Sequence, residues 1–193
     1  MKKVTLIALV TISVIFFSSQ VVAQSSWTLD KNHCKLGFTI SHLMVSEIEG
    51  NFKNFDAKIS SPKEDFSNAV VEMTAETNSI YTDNEKRDTH LRSADFFDVG
   101  KNAVMTFKST SFKKTSPKTY IVKGDLTMHG ITKPVFLDVI CNMGVNPMTK
   151  KPIAGFKITG KVNRADFKIG SSYPAAMLGN EVSIIAHGEF GQD

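Results

Sequence analysis

The stretch that decides the fold class is an alternation over residues 120–128, Tyr120-Ile121-Val122-Lys123-Gly124-Asp125-Leu126-Thr127-Met128. Apolar or small residues occupy its even positions, and polar residues occupy most of its odd positions. Successive side chains of a β-strand point to opposite faces, so a period of two predicts a strand with one face turned towards a core. An amphipathic helix would instead place its apolar residues three and four apart.

Seven further runs along the chain have the same strand character. They span residues 26–40, 50–60, 69–80, 104–112, 133–144, 155–163 and 181–190. Short polar turns separate most of these runs, and no long helical pattern lies between them, which disfavours a βαβ architecture. About eight antiparallel strands, each with one apolar face, predict an all-β barrel or sandwich.

The apolar faces of these strands also contain small residues. They are Ala57, Ala75, Gly124, Gly160, Ala186 and Gly188. A small residue on the inner face of a barrel indicates either a tight strand bend or room for a ligand. Taken together, the six positions favour an internal cavity.

One segment interrupts the strand pattern, Thr82-Asp83-Asn84-Glu85-Lys86-Arg87-Asp88-Thr89-His90-Leu91-Arg92-Ser93-Ala94-Asp95-Phe96-Phe97-Asp98. Leu91, Asp95 and Asp98 are spaced as on one helical face, which predicts a short helix within residues 84–97. Asp88 and His90 would point to different faces of that helix, so they do not form an acid–base pair. We expect Arg87, Asp88 and Asp95 to hold the helix on the barrel through charge-assisted hydrogen bonds.

The first 23 residues have the pattern of a secretory signal peptide. Lys2 and Lys3 precede an apolar run over residues 4–17, and Val21-Val22-Ala23 supplies small residues for cleavage. The run is short for a membrane span, which needs about 20 residues. We therefore expect a mature domain over residues 24–193 that is periplasmic or secreted, with no stable membrane span.

Charge gives no indication of a nucleic-acid partner. The signal peptide contains two of the lysines, so the formal net charge falls from +4 to +2 on its removal. Acidic and basic residues are interspersed along the rest of the chain. A near-neutral domain of this kind lacks the basic patch on which nucleic-acid binding depends.

The reactive residue types form no recognisable catalytic or metal-binding motif. The five histidines contain no H-x-H or H-x-x-x-H pair, and no nucleophile elbow or phosphate-binding loop is present. We therefore predict no catalytic residues, no metal site and no enzymatic activity. Cys34 and Cys141 lie on the apolar sides of their strands, and the sequence leaves open whether they form a disulfide or stay as buried thiols.

Several long motifs resemble the YceI-like family. The segment over residues 82–98 is similar to its central signature, and Gly124-Asp125-Leu126-Thr127-Met128-His129-Gly130-Ile131-Thr132-Lys133-Pro134-Val135 is similar to its second. Further matches in the same order begin at Trp27, at Phe38, at Gly50, at Asn163 and at Glu181. Two departures are Cys34, where the family often has Ser or Ala, and Lys168, where Gly is common.

The resemblance implies a lipocalin-like antiparallel barrel of about eight strands that carries a long-chain lipid. Expected ligands are a polyisoprenoid, an isoprenoid quinone or a fatty-acyl lipid, and no other cofactor is expected. An alternative is an envelope structural or stress-response protein whose barrel is filled. The sequence leaves the oligomeric state open, including a homodimer. Ten inward-facing residues are the predicted ligand contacts: Phe38, Ile40, Phe55, Met73, Met105, Phe107, Leu126, Leu137, Ile158 and Ile184.

Overall fold

The computed structural model describes residues 24–193, and the predicted signal peptide lies outside the described residues. This part of the chain contains ten β-strands and one short α-helix. The strands are β1 (Ser25–His42), β2 (Ser46–Phe52), β3 (Phe55–Ser61), β4 (Val70–Glu76), β5 (Ile80–Tyr81), β6 (Val104–Lys114), β7 (Thr119–Met128), β8 (Ile131–Val145), β9 (Pro152–Asn163) and β10 (Leu178–Gln192). Helix α1 spans Glu85–Arg92, and short 3-10 turns cover Thr77–Ser79 and Arg164–Phe167.

Eight of the strands close into an antiparallel barrel. Their order is β10-β9-β8-β7-β6-β4-β3-β1, and β1 pairs with β10 to complete the circle. Strands β2 and β5 extend the sheet beyond the barrel, because the second half of β1 pairs with β2 and β2 then pairs with β5. The all-β class, the eight-stranded barrel and the short helix predicted from the sequence are confirmed.

The predicted strand over residues 50–60 is two strands in the structure. The chain bends at Lys53 and Asn54, and the first half of β1 pairs with β3 while its second half pairs with β2. The backbone N–H groups of Lys53 and Asn54 donate to the backbone oxygen and the hydroxyl of Ser79, respectively. The predicted strand over residues 69–80 ends early as well, since β4 stops at Glu76 and a 3-10 turn follows.

One end of the barrel is closed by aromatic side chains, and we call it the plug end. Phe66, in the connection from β3 to β4, is only 1% exposed. Its ring centroid lies 5.0 Å from that of Trp27 and 5.2 Å from that of Phe156. The Tyr120 hydroxyl donates to Asp65 O at 2.9 Å, which ties the connection to β7. The chain thus crosses this end of the barrel and seals it.

The opposite end carries helix α1, and we call it the helix end. It also contains the His129-Gly130 turn between β7 and β8, where both residues have positive φ as the short hairpin turn requires. His129 Nδ1 lies 2.9 Å from Phe167 O, which joins this turn to the 3-10 turn after β9. The loop over residues 171–177 and the turn between β1 and β2 complete this end.

Candidate ligand-binding site

The barrel encloses an apolar cavity of about 670 Å³. This volume lies within the range of about 300–1,000 Å³ that is usual for small-molecule sites. All ten residues proposed from the sequence as ligand contacts line it: Phe38, Ile40, Phe55, Met73, Met105, Phe107, Leu126, Leu137, Ile158 and Ile184. Their contact with a ligand stays a prediction.

The inward side chains do not fill the barrel. Only Met105, Phe107 and Leu126 among the ten are buried, and the other seven keep partial exposure although they point inward. A side chain on the inner face can retain accessible surface only where open space adjoins it. Protein interiors are normally packed as densely as organic crystals, so this much free internal surface indicates room for an apolar molecule.

Strand alternation missed the aromatic lining contributed by the helix end. Phe96 and Phe97, which follow α1, and Tyr173 line the cavity together with Phe52 from β2. The Phe52 and Phe97 rings are 5.7 Å apart edge to face, and the Phe96 and Tyr173 rings are 5.2 Å apart. The sequence signal for this part of the lining was the pair of adjacent phenylalanines, Phe96 and Phe97. Strand alternation could not use it, because alternation does not predict the direction of side chains in a loop.

The small inward residues divide into two groups. Ala57, Ala186 and Gly188 line the cavity, whereas Ala75, Gly124 and Gly160 do not. A Cβ at Gly124 would lie 2.4 Å from Phe107 Cζ and 2.6 Å from Lys108 O. Gly124 is therefore needed for close packing beside the irregular pairing at Ser109 and Ser111, and only the first group leaves room for a ligand.

A buried polar cluster fixes the start of α1 at the helix end. Asp88 is 3% exposed, and its Oδ1 accepts hydrogen bonds from the backbone N–H and the hydroxyl of Thr82. Arg87 donates from Nε to the Thr82 hydroxyl at 2.7 Å and from Nη2 to Thr82 O at 2.6 Å. Asn84 caps the helix by accepting from the Arg87 N–H. The cluster holds the segment between β5 and α1 in one conformation.

Truncation of Asp88 is expected to destabilise the protein substantially. Asp88→Ala leaves two buried donors of Thr82 without acceptors, at a cost of about 1–3 kcal/mol for each unsatisfied group. We expect the free energy of unfolding in urea to fall by about 3 kcal/mol. Asp88→Asn keeps an acceptor oxygen and is the matched control with a smaller loss. Equal losses for the two variants would contradict the role assigned to these bonds.

The structure corrects the predicted role of Asp95. Arg92, not Asp95, joins α1 to the sheet, donating to Asn78 O and to Ile80 O at 3.0 Å each. Asp95 Oδ2 instead lies 3.2 Å from His90 Nε2 in an exposed pair, and the Tyr173 hydroxyl is 3.3 Å from the same nitrogen. The sequence could not predict this role of Arg92, because its acceptors are backbone carbonyls and pairing of side chains along the sequence does not indicate them.

Arg164 organises the loop that borders the cavity. It is only 4% exposed and donates to five backbone carbonyl oxygens, those of Ile169, Gly170, Tyr173, Leu178 and Gly179. Burial lowers the pKa of the guanidinium from its usual value. An arginine presents five N–H donors in a rigid fork, which suits this set of acceptors. The residues over 169–179 are thereby wrapped around one side chain.

The two cysteines are free thiols in the structure, so no disulfide links β1 and β8. Burial raises the pKa of Cys141 to about 11, and burial also raises the pKa of Cys34. Both thiols are therefore protonated at neutral pH, which makes them poor nucleophiles.

Among the described residues, one group of potential metal ligands occurs. It consists of Asp30, His33 and Glu189, whose ligand atoms lie within 4.8 Å of one another. His33 Nδ1 is 2.8 Å from Asp30 Oδ2, and this contact raises the pKa of His33. The three residues lie outside the cavity lining.

Within residues 24–193, no helix has the length and apolar character that a membrane crossing requires.

The fold and cavity define a class of proteins, single antiparallel barrels with an apolar interior. The YceI-like domain model matches residues 27–190, and the chain belongs to this family. UPF0312 protein SA2479 of Staphylococcus aureus is 36% identical over 171 residues, which cover 86% of this chain and 97% of that protein. The resemblance to the YceI-like family inferred from the motifs is confirmed.

Two solved structures show the same architecture. The Campylobacter jejuni YCEI protein has a TM-score of 0.73 at 29% identity, covering 79% of this chain and 90% of its own. A polyisoprenoid binding domain from Saccharophagus degradans has a TM-score of 0.61 at 13% identity, covering 86% and 98%, respectively. The second likeness supports the fold alone.

Proposed function

We propose that the protein is an exported, non-catalytic carrier that binds the apolar tail of a long-chain lipid inside its barrel. The ligand is a polyisoprenoid, an isoprenoid quinone or a fatty-acyl lipid. The observation that carries this proposal is the incompletely filled apolar interior of about 670 Å³. Membership of the YceI-like family, whose motifs imply a long-chain lipid ligand, supports the choice of ligand class.

The hydrophobic effect is large enough to bind such a tail. Each buried methylene contributes about 0.8 kcal/mol, so a tail of ~20 carbons supplies ~16 kcal/mol. Association costs of ~4–15 kcal/mol must be subtracted from this gain. A long tail therefore binds without specific polar contacts, whereas a short one does not offset the cost of association.

The polar part of the ligand belongs at the helix end. Thr82, Arg87, His90 and Arg164 line the cavity there, whereas the plug end is packed with aromatic rings. A polar head group buried without hydrogen bonds would lose several kcal/mol. The tail consequently points towards the plug end, and the head stays near solvent and these side chains.

The periplasm or the extracellular space is the proposed location, on the basis of the signal-like pattern over residues 1–23. The alternative, a structural or stress-response envelope protein with a filled barrel, receives no support from the interior, because seven of the ten predicted lining residues keep free surface.

Native mass spectrometry of the purified protein, followed by organic extraction, tests the carrier function. We expect a mass increment that disappears on extraction and corresponds to a long-chain lipid. Delipidated protein should then take up an added isoprenoid quinone or fatty acid. Lys123→Ala removes a side chain on the outer face and serves as a control with unchanged uptake. Protein that is reproducibly empty and also rejects both added lipids would contradict the proposal.

A further inference from the structure

The helix end carries an exposed apolar surface beside the cavity. The turn between β1 and β2 consists of Leu43, Met44 and Val45, of which Met44 is 78% and Val45 is 84% exposed. The Leu43 N–H donates to Met177 O at 2.9 Å, so the turn adjoins the exposed residues 174–177. We call residues 43–45 and 174–177 together the lip. His42, which directly precedes the lip, and Met177, at its other end, line the cavity.

The turn in the lip has residues that its backbone does not favour. Leu43 and Met44 have φ of 54° and 60°, and the Val45 N–H donates to His42 O at 3.2 Å. Two consecutive positive φ angles in a hairpin turn favour Asn-Gly or Asp-Gly, and bulky residues there are strained. The chain therefore places large apolar side chains in solvent at a position where small polar residues are more stable. Strain of this kind points to a function of the side chains themselves.

The segments that build the lip contain no charged residues. Residues 36–46 and 169–180 lack Asp, Glu, Lys and Arg, although these types make up 22% of the chain. A charge carried into the apolar part of a lipid bilayer is costly, and amphipathic side chains such as Tyr173 suit the interface with water. An uncharged apolar edge on one side of the entrance to an apolar cavity has the composition that contact with a lipid surface requires.

We propose that the lip inserts into the interfacial region of a lipid bilayer and sets the cavity entrance against the membrane. This inference rests on the proposed carrier function, because it names the surface with which the cavity exchanges its ligand. Contact through the lip lets a tail pass between bilayer and barrel without crossing water. Binding depends on buried apolar area. Glu47, the acidic residue nearest to the turn along the sequence, gives anionic lipid no advantage.

A second copy of the chain or a protein acceptor fits the lip less well. A stable interface involves about 20–30 residues on each side. The residues that contribute most to binding in such an interface are enriched in Trp, Tyr and Arg, and the lip contains none of these types. The lip consists of a three-residue turn and one short segment, and its side chains are mainly aliphatic or methionine.

Flotation with phosphatidylcholine vesicles tests the inference on protein expressed from the full chain. The decisive variant is Leu43→Asn with Met44→Gly, which removes two apolar side chains and introduces the residues that the turn favours. We expect it to be at least as stable as the parent to thermal unfolding. Its partition coefficient onto the vesicles should fall at least tenfold. Adding 30% phosphatidylglycerol or 0.5 M NaCl should change the parent's binding by less than threefold.

Met148→Gln is the matched control. Met148 is 86% exposed, comparable to Met44, but it lies in the turn between β8 and β9 at the plug end. We expect its vesicle binding to equal that of the parent. Equal flotation of the double variant and the parent would overturn the inference, as would a parent that does not float. Dimerisation that is lost in the double variant, without vesicle binding, would assign the lip to a second copy instead.

Uptake of a fluorescent fatty acid in the absence of vesicles separates this inference from the carrier function. The double variant should take up the probe as the parent does, because neither replaced side chain lines the cavity. A parent that takes up the probe but ignores vesicles contradicts only the membrane inference. A parent that binds vesicles through the lip but never takes up the probe contradicts only the carrier function.

Discussion

Ala186→Phe is expected to reduce the affinity for a lipid tail by roughly fiftyfold. Ala186 in β10 lines the cavity, and an aromatic ring there takes the space of about three methylenes. At ~0.8 kcal/mol for each methylene, the loss is about 2.4 kcal/mol, which corresponds to this factor. Titration of delipidated protein with a fluorescent fatty acid measures the change. The structure selects Ala186 over Ala75 and Gly124, which do not line the cavity.

The neighbouring residue provides a control for this substitution. Ile185 points to the outer face of the same strand and is partly exposed, so Ile185→Phe adds an aromatic ring without entering the cavity. Overpacking an interior costs about 1–3 kcal/mol, so thermal unfolding must be measured for both variants. Undiminished uptake by a folded Ala186→Phe variant would place the ligand outside the barrel.

Arg164→Lys is expected to lower the free energy of unfolding by about 3 kcal/mol or more. Hydrogen bonds from a charged donor contribute about 1.5–3 kcal/mol each, and a lysine reaches fewer of the five carbonyl oxygens than the guanidinium does. Carbonyls left without a donor allow the segment 169–179 to open. Urea denaturation measures the stability, and hydrogen exchange of this segment measures its opening.

Lys161→Ala is the control for Arg164. Lys161 lies in β9, just before the 3-10 turn that begins at Arg164, and forms an exposed ion pair with Glu181. Exposed ion pairs contribute little to stability, about 0–1 kcal/mol. Faster exchange confined to the segment 169–179 in Arg164→Lys supports the role described for the guanidinium. A variant with parental stability and unchanged exchange would show that these bonds do not hold the loop.

Strand periodicity was sufficient to predict the barrel and the inward side chains. Phe38 and Ile158, for example, follow from the alternation of their strands, because side-chain direction in a strand depends only on position. Periodicity could not show which small residues border open space. Gly124 and Ala186 have the same pattern, yet Gly124 is packed against Phe107 from the next strand. That difference arises from contacts between strands, which a single sequence does not display.

The loops at the helix end were the least predictable part of the site. Arg164 was visible only as part of a motif, since its partners are backbone carbonyls that every residue possesses. Lys168 was identified as a departure from the glycine common in the family, and the structure gives it a φ of 57°. A position with positive φ explains the family's glycine, because glycine adopts it without strain.

Phe66, packed against Trp27 and Phe156, closes one end of the barrel, so the cavity opens only at the helix end. In the proposed carrier, a tail that enters at the helix end stops at the ring of Phe156, which lines the cavity and packs against Phe66 at the plug end. For a carrier of this design, each added methylene strengthens binding only until the tail reaches that ring. Further carbons remain outside with the head group and gain no burial. In the proposed carrier, the plug therefore limits the length of tail that can be buried, and the ligand must enter and leave at the helix end.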